Sequence, residues 1–391
     1  MNYQRVGIGP IRALAIKPRD DSLGHQAVEI AMGLHLARHL GTPVCFRHPD
    51  IVANRALFEL ECDEVLVLRG WRAAIATWLG VRADADAQAK LATARAVAVK
   101  EKRKFKPGPP NFHGLDFRER YARHQLTVRL CRQVDRRAER TAQALGIARD
   151  ARIVTLHVRE SGFKNAAGGE SPADALRNAQ IETYFPAIDF LVSRGYLVAR
   201  IGDPMMTPVQ RPGVVDVATS PERSDELELW LMMRASLQIA CDSGPYCVSY
   251  LTNTPCLAVN VTNIVGGYPI RVRDRYILKH VYDGNRGRQL TLREMLTNDY
   301  FETRKDLDRY RVIDNTAEEI TEAVQEMLEI LEGRMEPVPS QLELRALIEG
   351  LQSAPDVAAR RVRKGEPAAQ LLGDGFPGRA FTVQHLVGDL C

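Results

Sequence analysis

Short runs of consecutive apolar residues alternate along the chain with longer stretches whose apolar positions recur every three to four residues, a pattern that predicts strands and helices in turn. Residues 12–16 form the first apolar run, 24–40 carry helical periodicity stopped by Gly41, and 42–46 open a second run. A helix at 51–60 and a strand at 64–68 follow, so the first part has a βαβαβ rhythm that calls for a parallel sheet. From 71 to 145 the pattern is mainly helical. It is broken by the prolines and glycines of 107–114 and then reads as one long polar helix over 118–145, ended by Gly146.

The strand and helix rhythm returns more clearly in the second half. Apolar runs at 152–158, 196–201, 237–241 and 256–261 are separated by helical periodicity centred on Ile188, Leu229 and Val248, which implies a doubly wound α/β sheet. Ser171-Pro-Ala-Asp174 suits a helix start, with a capping serine and proline in the first turn. Pro186 weakens the helix around Ile188, because an interior proline removes a hydrogen bond and kinks the axis. Residues 317–331 read as an acidic-surfaced helix and EGRMEPVP as a linker, after which 341–391 holds one helix and Gly/Pro-broken sequence.

At 391 residues the chain exceeds a single core, and two domains with a cleft between them are expected. The expected division is 1–148, 149–335 and a C-terminal extension at 336–391 that packs back on the first domain. With 45% hydrophobic and 26% charged residues, the composition favours neither disorder nor a membrane protein. No stretch reaches the roughly 18 uncharged apolar residues of a membrane span. Pro10 and Arg12 interrupt the only apolar N-terminal run, so no signal peptide is expected. Seven cysteines without a C-x-x-C pair argue against a disulfide framework and a zinc knuckle and fit a reducing cytoplasm. Net charge is +4, and the one basic run, KEKRKFK at 100–106, reads as a solvated loop, so nucleic acid is not expected as a partner.

In open parallel sheets ligands bind outside the carboxyl ends of the strands, and three predicted strands carry polar residues there. The first ends in His157-x-Arg159-Glu160, the second in Arg200-x-Gly202-Asp203 and the third in Asp242-Ser243-Gly244-Pro245-Tyr246. Arg159 offers a planar fork for two phosphate oxygens, and the backbone N–H groups of 243–246, at a predicted helix start, add an anion-binding cap; together they point to a diphosphate. Asp203 is an acceptor for a ribose or sugar hydroxyl, or a turn residue. His157 shares a strand face with Arg159 and either touches ligand or fixes the loop. Asn178 and Arg200 complete the substrate-binding candidates, while His25, Asp21 and Glu160 are the candidate general bases. His25 reads equally as a neighbour of a helix cap. Nucleotide signatures fail on context. GIGP at 7–10 precedes its strand, GDGFPG at 373–378 has no βαβ unit after it, and Asp84-Ala-Asp86 follows no strand, so neither NAD nor a D-x-D metal site is expected.

LHVRE, LRNAQIETYFPAIDFLVSRGYLVARIGD, CDSGPYCVSYLTNTPCLAVN and VIDNTAEEITEAVQEMLEIL resemble, in that order, a family of bacterial and archaeal glycosyltransferases associated with surface-polysaccharide genes. More distantly the chain is similar to the fucosyltransferase superfamily, whose H-x-R element ends a strand of its C-terminal domain. The resemblance spans roughly 152–331, with a weaker echo at DSLGHQAVEIAMGL. It implies a GT-B type α/β architecture of two facing Rossmann-like doubly wound domains: an acceptor-side domain with a helical insertion at 1–148 and a nucleotide-sugar-binding domain at 149–335. It further implies a nucleotide diphosphate sugar donor, GDP-linked first, a hydroxyl acceptor, and no cofactor or metal. Arg159 matches the arginine that contacts the donor diphosphate, Gly202-Asp203 the turn after the second strand, and Ser243-Gly244 the small-residue helix start. Glu228 stands where the resemblance calls for an aspartate, and the sequence beyond Leu331 has no counterpart. A nucleotide-sugar epimerase of the same architecture and a noncatalytic nucleotide-sugar-binding protein are the alternatives.

Overall fold

The computed structural model of the chain describes residues 2–8, 11–18, 22–69, 125–162, 169–262, 271–304, 306–334, 336–353 and 375–386. Its first part contains β1 (Asn2–Ile8), β2 (Ile11–Lys17), β3 (Val44–Phe46), β4 (Leu60–Cys62), β5 (Val67–Leu68) and β6 (Val128–Leu130). One sheet has the order β1-β2-β3-β5, in which β1 and β2 form an antiparallel hairpin while β2, β3 and β5 run parallel. The hairpin was not foreseen: Gly7 and Ile8 of the glycine-rich stretch end its first strand.

Two expected helices are shorter than their periodicity suggested. The one at 51–60 is only a 3₁₀ turn, Arg55–Phe58, because Asn54 Oδ1 caps Ala56 N–H at 2.9 Å and the chain then leaves to pair β4 with β6. The one at 118–145 is the helix Arg132–Ala144, since Val128–Leu130 extends as a strand; 118–124 lie outside the described residues, as do Asp84, Asp86 and the 100–106 basic run. Val134, Ala138 and Ala142, each four residues apart, form the buried stripe of that helix.

The second sheet is built from β7 (Arg152–His157), β8 (Tyr196–Arg200), β9 (Val214–Asp216), β10 (Leu237–Ala240), β11 (Cys256–Val261), β12 (Arg275–Leu278) and, after the antiparallel ribbon β13 (His280–Asp283), β14 (Arg288–Gln289) and β15 (Tyr310–Ile313), β16 (Phe376–Pro377). Its order is β16-β12-β11-β10-β7-β8-β9 and every neighbouring pair is parallel. All residues of β10 and β11 are buried, as expected of parallel strands covered on both faces, which read as continuous apolar runs. Helices Phe185–Ser193 and Ala317–Leu331 pack together, and Asp225–Arg234 packs separately with Arg132–Ala144. Right-handed crossovers that step in opposite directions from β7 place such helices on opposite faces. Pro186 sits in the first turn of its helix, where its missing N–H costs nothing.

The described part of the extension joins the second sheet; the expectation that it returns to the first part is corrected. Its β16 adds to β12, and buried Glu326 gathers the segment: it accepts from Arg275 Nε at 2.5 Å, Gln341 Nε2 at 2.9 Å and Arg379 N–H at 2.6 Å. A buried carboxylate left without these donors would be unstable, so the tail is held to this side by polar satisfaction as well as packing.

Helix Leu23–Leu40 connects the two sheets. A methyl on Gly33 would meet Ile16 Cδ1 at 2.5 Å and Phe46 Cε1 at 2.9 Å, and one on Gly24 would meet Gly244 Cα at 3.0 Å, so glycine lets the same helix lie tightly on both sheets. Asn54 Nδ2 to Asp225 O (3.1 Å), Arg55 N–H to Asp225 Oδ2 (2.8 Å) and Asn253 Nδ2 to Leu126 O (2.8 Å) extend the junction.

Candidate functional site

Strand order reverses at β7: the chain steps from β7 to β8 and β9, then crosses to β10 on the other flank and continues to β11 and β12. Connections therefore leave β7 and β10 in opposite directions, the arrangement at whose carboxyl ends open α/β sheets bind ligands. The two exits are bonded to each other. Cys241 N–H donates to His157 O at 3.3 Å, and Arg159 N–H donates to Cys241 Sγ at 3.1 Å. Burial pushes the Cys241 thiol up to about 11, so it is an uncharged acceptor and no nucleophile at neutral pH.

Arg159 is only 8% exposed. Its guanidinium donates to Asp174 O at 2.6 Å and to Asn178 Oδ1, and pairs with Glu170 at 3.0 Å and Asp174 at 3.8 Å. Asp174 in turn pairs with half-buried Arg177, whose Nη1 lies 3.4 Å from Asp242 O. The Ser171 cap foreseen in the sequence forms one turn, Pro172–Ala175, and that turn carries Asp174 to the arginine. Arg159 and Asn178 thus meet directly and Asp242 joins them through Arg177 and Asp174, while Glu170, Asp174 and Arg177 are additions no spacing pattern announced. Lys279 joins the same network through Asn178 O and Asp314 Oδ1, and Thr262 donates to Asp242 Oδ2 at 2.7 Å.

Arg200 and Glu160 are corrected. Arg200 has no exposed surface; it pairs with Glu160 at 2.8 Å and Asp216 at 3.0 Å and donates to Thr207 O at 2.7 Å. Glu160 Oε2 also accepts the Thr207 N–H and hydroxyl at 2.8 and 2.9 Å. Both carboxylate oxygens of Glu160 are engaged, so in this structure the pair builds the loop after β8. Asp203 Oδ1 accepts Met205 N–H at 2.8 Å, the turn role anticipated for it.

His157 Nδ1 donates to Ile201 O at 3.1 Å, which leaves the Nε2 lone pair as the ring's acceptor. Gly202 makes this approach possible: at φ +142°, a methyl there would lie 2.6 Å from Met206 Sδ and 2.9 Å from His157 Nδ1. Glu228 holds the same turn, accepting Gly202 N–H at 3.2 Å and Arg223 Nε at 3.1 Å, and burial raises its carboxyl above the usual range.

Burial lowers the His157 imidazole to about 4; the Ile201 bond and Asp203 oppose this, while the charges of Arg200 and Arg159 reinforce it. Its folded value lies below the unfolded one, so the unfolded chain binds the extra proton. Stability is full above about pH 6.5 and falls as pH drops toward 4, by about 1.4 kcal/mol per unit and roughly 3 kcal/mol in all. Urea unfolding of wild type and His157→Gln across that range is expected to give a shallower pH slope for the variant.

The turn after β10 is a five-residue 3₁₀ element, Gly244–Val248, preceded by Ser243. Ser243 N–H is turned back to Cys241 O at 2.7 Å, and Ser243 Oγ is buried beside the Cys241 thiol without an N or O partner among the described residues. Pro245 O accepts Gln238 Nε2 at 2.7 Å, and Tyr246 is buried with its ring edge-on to Tyr250. Gly244 faces Gly24, so the start of helix Leu23–Leu40 covers the expected anion cap and sets exposed His25 beside it. His25 Nδ1 lies 3.1 Å from the Oγ of the capping Ser22, the cap-neighbour reading of this residue. Asp21 lies outside the described residues.

A cavity of about 480 Å³ opens at the opposite edge, among Arg152, Tyr196, Ser236, Asn253 and Arg273 at the amino ends of the strands. It is open and shallow, and the polar residues that the strands deliver lie at the carboxyl edge, so the latter is the candidate site.

No family model matches the chain, and no curated protein matches it. Among solved structures it is similar to the crystal structure of the glycosyl transferase family 9 from Veillonella parvula DSM 2008, at 13% identity and a TM-score of 0.41 over 81% of this chain and 97% of that one. A likeness at this level carries no argument about fold or function.

Proposed function

We propose that the protein is a GT-B type glycosyltransferase that moves a sugar from a nucleotide diphosphate sugar, GDP-linked in the first instance, to a hydroxyl of a glycan or small metabolite, with no metal required for transfer. One observation carries this reading. At the reversal of strand order a buried guanidinium, Arg159, is linked through Asp174 and Arg177 to the Asp242 carbonyl, and the N-terminus of a helix from the other sheet packs on the turn that follows Asp242. Glycosyl transfer puts negative charge on the departing diphosphate, so a fixed guanidinium aimed at it stabilises the transition state more than the ground state.

Glu170 and Asp174 neutralise Arg159 before ligand arrives. A diphosphate offers the same fork two or more oxygens at higher charge, and exchange of the carboxylates for phosphate is the binding step in this reading. His157 Nε2 accepts a donor hydroxyl, and His25, at the seam between the sheets, takes the acceptor's proton. Asp21 is the second base candidate on sequence grounds. The six described cysteines are free thiols, and a reducing cytoplasmic setting is part of the same reading. Among the described residues no helix is long and apolar enough to cross a membrane.

The test is a melting panel of GDP-, UDP-, dTDP- and CMP-linked sugars followed by turnover assays without added Mg²⁺ or Mn²⁺. Nucleotide release that depends on an acceptor is the expected result. Donor epimerised in the absence of acceptor would establish the isomerase instead. A raised melting temperature with no turnover for any acceptor would leave a binding protein.

A further inference from the structure

Away from this site, three residues from distant parts of the chain converge. His280 begins β13, Glu319 lies in the first turn of helix Ala317–Leu331, and His385 ends helix Arg379–His385. One ligating atom from each falls within 4.8 Å of the other two. His280 Nε2 is 2.9 Å from Glu319 Oε1, and His385 Nε2 is 2.5 Å from the same oxygen. His280 and Glu319 are buried and His385 is half-buried, so one side stays open. The carboxylate is oriented from behind: Thr316 N–H donates to Oε2 at 2.8 Å, and Asn315 Nδ2 approaches it at 3.5 Å. Phe381 packs against both imidazoles, at ring-centre distances of 5.7 and 4.8 Å.

We propose that His280, Glu319 and His385 form a binding site for one zinc-class divalent cation, which fastens the C-terminal segment 375–386 to the second sheet. Two imidazole nitrogens and one carboxylate oxygen are the donor set of zinc and its neighbours, whereas magnesium and calcium prefer oxygen alone. Fixation of the carboxylate by a backbone N–H is the outer-shell support such ligands need. With metal–ligand bonds of about 2.0–2.1 Å, tetrahedral ligand atoms stand roughly 3.3 Å apart. The ion therefore replaces the hydrogen bonds now joining the two imidazoles to the carboxylate, and the His–Glu separations of 2.9 and 2.5 Å widen by less than an ångström to admit it. Water takes the fourth position on the open side. The site lies beyond the end of β12, three strands from β7 and so roughly 14 Å from it at about 4.8 Å per strand, with Lys279, the residue before His280, reaching from the same strand end to the Asn178 carbonyl.

The full chain, stripped with chelator and titrated with Zn²⁺ against a chromophoric competitor, is expected to bind one equivalent. Co²⁺ in the same site is expected to give the intense visible absorption of four- or five-coordination. Zn²⁺ is expected to raise the melting temperature of wild type and not of His385→Ala. Affinity in His385→Ala and Glu319→Gln is expected to drop by more than roughly 100-fold, since even an outer-shell partner is worth about 10–100-fold. Absence of stoichiometric Zn²⁺ and of the Co²⁺ spectrum in wild type would overturn the proposal and leave a hydrogen-bonded clasp, whatever the variants do. Unchanged binding in both folded variants would overturn it equally.

Discussion

Arg159→Lys is expected to lower kcat/KM for nucleotide-sugar turnover by about 10²–10³-fold, the usual effect of losing one donor aimed at transition-state charge. Lysine keeps the charge that Glu170 and Asp174 require but loses the planar fork that spans two phosphate oxygens. Folding and function therefore separate: the melting temperature of this variant should stay within a few degrees of wild type while kcat falls. Arg159→Ala is the harsher change. It leaves Glu170, Asp174 and Asn178 facing one another in a part-buried network, so its lost activity has to be read beside its stability. Steady-state kinetics with the best donor from the melting panel make the comparison, and wild-type turnover in both variants would remove Arg159 from the mechanism.

Arg200→Ala is expected to destabilise the fold by about 3–5 kcal/mol, the range found when one partner of a buried ion pair is removed. Arg200 has no exposed surface and links Glu160, after β7, with Asp216, at the end of β9. Without it the mostly buried carboxylates of Glu160 and Asp216 lose their shared counter-ion, and the Thr207 carbonyl loses its donor. Equilibrium urea unfolding measures this directly. A loss under about 1 kcal/mol would mean that the two acids swing to solvent freely, and the loop after β8 would then not depend on this network.

Its two acidic partners explain why a linear reading placed Arg200 among the ligand contacts. A basic residue at the end of a strand carries the same letter whether it faces a ligand or a buried counter-ion. The decision depends on Glu160 and Asp216, 40 and 16 residues away, and no periodicity encodes that meeting. Arg159 shows the same limit in milder form. Its place at the carboxyl edge of the sheet followed from its position past a strand end, but its resting partner Glu170 lies 11 residues on in a glycine-rich sequence with no repeat to read.

Local order was legible where backbone and burial obey short periods. Strands β7, β8, β10 and β11 were found within a residue of their ends, because parallel strands buried on both faces need unbroken apolar runs. Helix Ala317–Leu331 was found at its full length, since Thr316 and Glu319 form a capping box ahead of an amphipathic stripe. The short strands β12 to β15 were missed. They are two to four residues long and charged, too brief for a pattern to rise above its surroundings.

Element type and the polar residues at the carboxyl edge thus follow from neighbours a few positions apart, where periodicity and capping chemistry act. Three things depended on the folded chain: the seam where Gly24 meets Gly244, the burial of Arg200, and the convergence of His280, Glu319 and His385. Each joins residues brought together only when sheets and helices pack, and packing is decided by volume and charge compensation across the whole core, to which a linear order of residues is blind.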